Sequence, residues 1–259
     1  MHSFQAFLSK EFRELLRTRR ILVFFIAIGF FALLDPVMLR VLPEILKAQM
    51  GGPEGNFPLE AMGITLSQAA ALKNFSGDLF ELSTLVVVLA MMNLAAGERS
   101  QKTLILPRMA GLGPTGAVWA KLLVNGTALA VLTAGGFATA YVYAGLIFPA
   151  GEKLEFGPVM LAGLFHGLHF IYLTSLVLFF GSLTGKGALT AVFTMGTAYG
   201  GAALSALLPN ISDHLPYAVM ERATAFSGFG EATSGIFILL GTTLLLCFLS
   251  GSILRRKIV

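Results

Sequence analysis

Six long apolar runs, at residues 21–42, 79–96, 122–148, 159–183, 188–208 and 235–254, leave this 259-residue chain few ways to fold. A bilayer core about 30 Å thick is crossed by about 20 apolar residues in a helix. Hydrocarbon admits only backbones whose N–H and C=O groups are satisfied within a helix or a closed barrel, and runs this long select helices. Only 12% of residues are charged and mean hydropathy is +0.79, against about 25% charge in soluble domains. The predicted fold class is therefore all-α: a polytopic membrane protein of six transmembrane helices, forming one transmembrane domain over residues 1–259.

The charged residues fall between the runs and sort by side. Residues 1–20, the 97–121 connection, Lys186 and the tail from Arg255 to Lys257 hold 13 of the 18 Lys and Arg but only three of the 14 Asp and Glu. Basic connections stay cytoplasmic, so an even number of spans puts both termini inside a cell (inner) membrane crossed several times. The pI near 9.3 then reflects topology and attraction to anionic lipid, and no nucleic-acid partner is expected. The single cysteine, Cys247, lies inside the last run and permits no intrachain disulfide.

Before the first run, Phe4, Phe7, Leu8, Phe12, Leu15 and Leu16 recur at helical spacing, with Gln5, Lys10, Arg13, Glu14 and Arg17 on the other face. This pattern predicts an interfacial helix over 1–20, its basic face toward headgroups and its aromatics toward acyl chains. The outer connection 43–78 is too long to lack structure, and a short helix is expected near 66–74. The segment 209–234 mixes Asp213, His214, Glu221, Arg222 and Glu231 with apolar residues, as an outer re-entrant segment would.

Motifs for energy coupling are sparse. Gly181-Ser-Leu-Thr-Gly-Lys-Gly187 resembles a phosphate loop, but the glycine spacing is one residue short, no Ser or Thr follows Lys186, and an apolar helix precedes it. ATP, if used, is bound by another polypeptide. His166 and His169, three apart in the fourth run, supply half of a metal or proton-relay site; packing or cavity lining is the stronger reading, with no metal expected. Asn93 joins them as a possible pathway-lining residue, whereas Asp35 before Pro36 reads mainly as a local helix feature. No hydrolase triad or elbow motif is visible, so no catalytic residue is assigned.

The 97–121 connection is far longer than two antiparallel helices require. A charged turn, Glu98-Arg99-Ser-Gln-Lys102, leads to apolar Thr103-Leu104-Ile-Leu106, then to Pro107-Arg108 and a glycine-rich stretch before Trp119 and Lys121. An apolar knob on a charged elbow suits docking into a protein groove. Here the chain resembles the type-2 ABC exporter permeases, membrane subunits that work with a separate ATPase. Lys10-Glu11-Phe12-Arg13-Glu14-Leu15 with Arg17-Thr18-Arg19 resembles that family's elbow helix. Glu98-Arg99, Lys102-Thr103-Leu104, Leu106-Pro107-Arg108 and Lys121 resemble its signature after span two. Lys102 stands where glycine is common in the family, and a helical rather than sharp turn is expected there.

The resemblance implies a cytoplasmic coupling helix between spans two and three, carried by Glu98, Arg99, Lys102, Thr103, Leu104, Leu106, Pro107 and Arg108. It implies partner ABC ATPase subunits that bind ATP and Mg, no cofactor in this chain, and a second permease copy or paralogue. It also places spans one and five at the dimer boundary. There Gly196-x-x-x-Gly200 offers a small-residue face, expected near Phe30 of a partner. Two other classes stand beside this reading: an intramembrane enzyme or cofactor protein using His166 and His169, and a secondary transporter, which would need intramembrane charge or an inverted repeat.

Overall fold

The computed structural model describes residues 2–49, 65–103, 111 and 113–257. Every regular element among them is helical: α1 (His2–Arg17), α2 (Arg20–Gln49), α3 (Gln68–Asp78), a π-helical turn (Leu79–Ser83), α4 (Thr84–Met91), α5 (Ala96–Ser100), α6 (Pro114–Ile147), α7 (Phe156–Thr184), α8 (Gly187–Leu207), α9 (Pro209–Ser212), α10 (Ala218–Thr224) and α11 (Phe229–Lys257).

Five helical stretches are long and apolar enough to cross a membrane: Arg20–Leu46, Gln68–Ser100, Pro114–Ile147, Phe156–Thr184 and Phe229–Arg256. The fifth predicted run, 188–208, also forms a helix, α8, but its glycines and hydroxyl residues leave it less apolar than the other five. The helices outlast the apolar runs. α6 begins at Pro114, eight residues before the run, because a proline at the first helical position costs no hydrogen bond. The helix expected near 66–74 is α3, started by the Ser67 hydroxyl accepting from the Ala70 N–H. Its axis continues through the π-helical turn into α4, so part of the connection expected over 43–78 belongs to the long helical stretch Gln68–Ser100.

α7 is the hub. Of its apolar window 78% is buried, against 28% to 50% for the other four, and it packs on α6, α11, α8 and α10. Its contact with α6 runs along a small-residue seam: a Cβ on Gly167 would meet Ala130 at 3.1 Å, and one on Gly163 would meet Phe137 at 3.2 Å. Close backbone approach of this kind is how apolar helices associate without a hydrophobic drive. Phe24, Phe75, Phe137, Phe165 and Phe170 fill the centre, whereas Phe25, Phe30, Val131, Phe193 and Phe237 point outward. An apolar exterior around a core holding buried polar groups is the arrangement a lipid solvent favours.

The 209–234 segment folds into α9 and α10. Ala218, Val219, Met220 and Ala223 of α10 are buried against α7 and α11. Tyr217 anchors it, its ring against Gly201 and its hydroxyl donating to the Thr197 carbonyl at 2.8 Å.

Candidate functional site

α1 is amphipathic, and its buried stripe is Phe7, Glu11 and Leu15, spaced four apart and all under 10% exposed. A carboxylate therefore sits in the middle of an apolar face. Its partner is Lys121 on the second turn of α6: Lys121 Nζ donates to Glu11 Oε1 at 2.9 Å and Oε2 at 3.0 Å, and lies 3.0 Å from Glu98 Oε1. Lys10 Nζ closes the ring, 2.8 Å from Glu98 Oε1, 2.9 Å from Glu11 Oε1 and 3.2 Å from Glu14 Oε2. Arg20 at the head of α2 holds Glu14 at 3.1 Å.

Three cations thus balance three carboxylates. The Phe7 ring floors the cluster, with Lys10 Nζ 4.8 Å and Lys121 Nζ 6.0 Å from its centroid. Glu11, Glu14 and Glu98 bring carboxylate oxygens within 4.8 Å of one another, and the two ammonium groups supply the positive charge that such a gathering needs. Burial alone would lower the pKa of Lys10, but hydrogen bonds and charge from Glu98 and Glu11 outweigh it and raise the ammonium above its usual range. Burial likewise works to raise Glu14, and Lys121, Lys10 and Arg20 outweigh it, holding this carboxyl below its usual range.

The neighbouring residue points elsewhere. Arg99 Nη1 donates to the Ser182 carbonyl at 2.9 Å and the Leu183 carbonyl at 2.7 Å, capping the end of α7 where Gly185 turns left-handed at φ +64°. α5 itself ends in a Schellman turn: Thr103 N–H donates to Glu98 O at 3.1 Å and Lys102 N–H to Arg99 O at 3.3 Å. Lys102 takes φ +55°. The helical turn expected there is therefore corrected: the chain bends sharply, in the conformation that glycine adopts without strain. Leu104, Leu106, Pro107 and Arg108 lie outside the described residues.

The other predicted site residues do not join this cluster. His166 and His169 are fully buried near the opposite part of α7. His166 Nε2 lies 2.8 Å from the Ser76 hydroxyl and its ring packs on Phe137 at 5.2 Å. His169 sits among Phe80, Tyr172 and Tyr217, with neither ring nitrogen hydrogen-bonded among the described residues. Asn93 is not with them. It is exposed in the turn between α4 and α5, its carboxamide against Gly187, thirteen residues and about 20 Å along the span from Phe80. Phe30 is 54% exposed, and Gly196 and Gly200 face open space on α8.

Sequence reading missed Glu11 as a buried ligand of Lys121. The signal was present, since Glu11 interrupts the i, i+4, i+8 stripe of Phe7 and Leu15. The chain matches no protein-family model and no curated protein.

Proposed function

We propose that this chain is the permease subunit of an ATP-driven ABC exporter. In this reading six spans, with α8 as the fifth, cross the inner membrane with both termini cytoplasmic, α1 is the interfacial elbow helix, and α9 and α10 form the outer re-entrant segment. The 99–112 connection docks in a cleft of a separate ATPase that binds ATP and Mg, with Glu98 as its polar anchor, and two permease copies or paralogues complete the pathway. Closure of paired ATPases would push the two connections together and switch the bundle between inward and outward openings.

One observation carries the reading: the Glu11–Lys121–Glu98 cluster ties the elbow helix to both residues that flank the docking connection. A connection meant to transmit load needs its roots fixed to the bundle, and a satisfied buried ionic network supplies that rigidity. His166 and His169 are fully buried, and among the described residues no Cys, Asp, Glu or further His joins them in a group that could hold a metal.

The test is a photo-crosslinking residue at Leu106 in cells of the source organism, with the adduct identified by mass spectrometry. The reading expects an adduct to an ATP-binding-cassette ATPase, lost when Leu104 is replaced by Asp. Adducts to lipid alone, or to proteins that bind no nucleotide, overturn it.

A further inference from the structure

At the far end of the bundle from the ionic cluster, a cavity of about 520 Å³ opens between the π-helical turn, the end of α8 and α10. That volume lies within the range that holds drug-sized molecules. Its apolar wall includes Phe80 and Tyr217, and Lys73, Glu81 and Glu221 stand around it.

Three features set it apart from a gap between helices. Lys73, Glu81 and Glu221 are exposed and take part in no ion pair among the described residues, whereas Lys10, Lys121 and Arg20 of the ionic cluster pair with Glu11, Glu14 and Glu98. Ser205, which lines the cavity, is 3% exposed and its hydroxyl hydrogen-bonds to nothing among the described residues. Thr174, Thr197 and Thr243 donate to the carbonyl one turn earlier, whereas Ser205, like Thr133 and Thr194, keeps an unpartnered hydroxyl among the described residues. Finally, the π-helical turn Leu79–Ser83 places Phe80 and Glu81 on the cavity wall, and such single turns are rare and fall frequently at functional sites.

We propose that this cavity binds an amphiphilic organic cation, its charge between the Glu81 and Glu221 carboxylates and its apolar body against Phe80 and Tyr217. Two carboxylates against one ammonium leave the lining with an excess negative charge. The unpartnered Ser205 hydroxyl can turn its lone pairs toward a cation. An anion of the same shape would meet the same apolar walls with the wrong sign. The inference concerns binding alone and is independent of the ATP-coupled reading.

The test uses the full chain in nanodiscs of uncharged lipid and a matched probe pair, tetraphenylphosphonium and tetraphenylborate, titrated calorimetrically against empty discs. Saturable binding of tetraphenylphosphonium at one site per chain is expected, with none for tetraphenylborate. Glu81→Gln and Glu221→Gln should each weaken it about threefold and together about tenfold, Lys73→Met should tighten it about threefold, and Glu44→Gln should leave it unchanged. Lys73→Met keeps the test valid if a carboxylate variant misfolds. Non-saturable partitioning only, equal binding of both probes, or affinities indifferent to Lys73, Glu81 and Glu221 overturn the proposal.

Discussion

Lys121 Nζ bridges both carboxylate oxygens of Glu11, 110 residues away in sequence, with each side chain no more than 3% exposed. Removing one member leaves Glu11 with Lys10 alone, or Lys121 with Glu98 alone, in a buried setting, at the cost of a lost charge-assisted hydrogen bond, about 1.5–3 kcal/mol. Lys121→Met and Glu11→Leu should each lower thermal stability in detergent by that order, while the double variant recovers much of the loss. Equal, additive losses in the double-mutant cycle would show that the pair does not interact.

Lys102 occupies the left-handed position of the Schellman turn at a cost of about 1 kcal/mol relative to glycine. Lys102→Gly should therefore stabilise the turn, and amide exchange at Lys102 and Thr103 should slow about fivefold. Faster exchange in the glycine variant would contradict the turn geometry.

The adjacent glycines of α8 make a controlled pair. A Cβ on Gly201 would collide with the Tyr217 ring, whereas one on Gly200 meets nothing within 4 Å. Gly201→Ala should destabilise the chain by about 1–3 kcal/mol through overpacking and loosen α10. Gly200→Ala should leave the isolated chain unchanged, so any loss of stability it causes in a purified oligomer reports a neighbour from outside the chain. Cysteines at Phe30 and Gly200 crosslinking between protomers would identify that neighbour as the first span of a second copy.

The ionic cluster also sets a pH range. Glu14 is held below its ordinary 4.5, so its contribution is complete above 4.5 and is lost as pH falls toward its lowered folded value. Lys10 is raised above its ordinary 10.5, so its contribution is complete below 10.5 and is lost as pH climbs toward the raised value. Stability measured across pH should be level between these limits and fall beyond both, and Glu14→Gln should flatten the acid limb while leaving the alkaline limb in place. An acid limb unchanged in that variant would assign it to another carboxylate.

Much of this architecture can be read from the chain because hydrocarbon enforces it: the apolar runs end up in helices, and the amphipathic start becomes α1. What escaped the sequence has specific causes. Helix ends were misjudged where glycine and proline look like loop residues, as at Gly113-Pro114, although proline at a first helical position is unstrained. The π-helical turn leaves no mark, since Leu-Phe-Glu-Leu-Ser reads as ordinary helix. The Glu98 and Arg99 positions were legible as a charged elbow, but their partners were not. Pairing with Lys121, Lys10 and the end of α7 is decided by packing between segments far apart in sequence.

Glu98 and Arg99 are consecutive on a single-turn helix, yet one grips α1 and α6 while the other grips the tip of α7. The short helix is in effect a pivot with two arms of unequal stiffness, one an ionic cluster, the other a guanidinium on two backbone carbonyls. A tilt of α5 by a few degrees cannot relax both grips together, so displacement must pass into the hub helix or into the elbow. The weaker grip gives first, and that leaves displacement to pass through the ionic arm into α1 and α6.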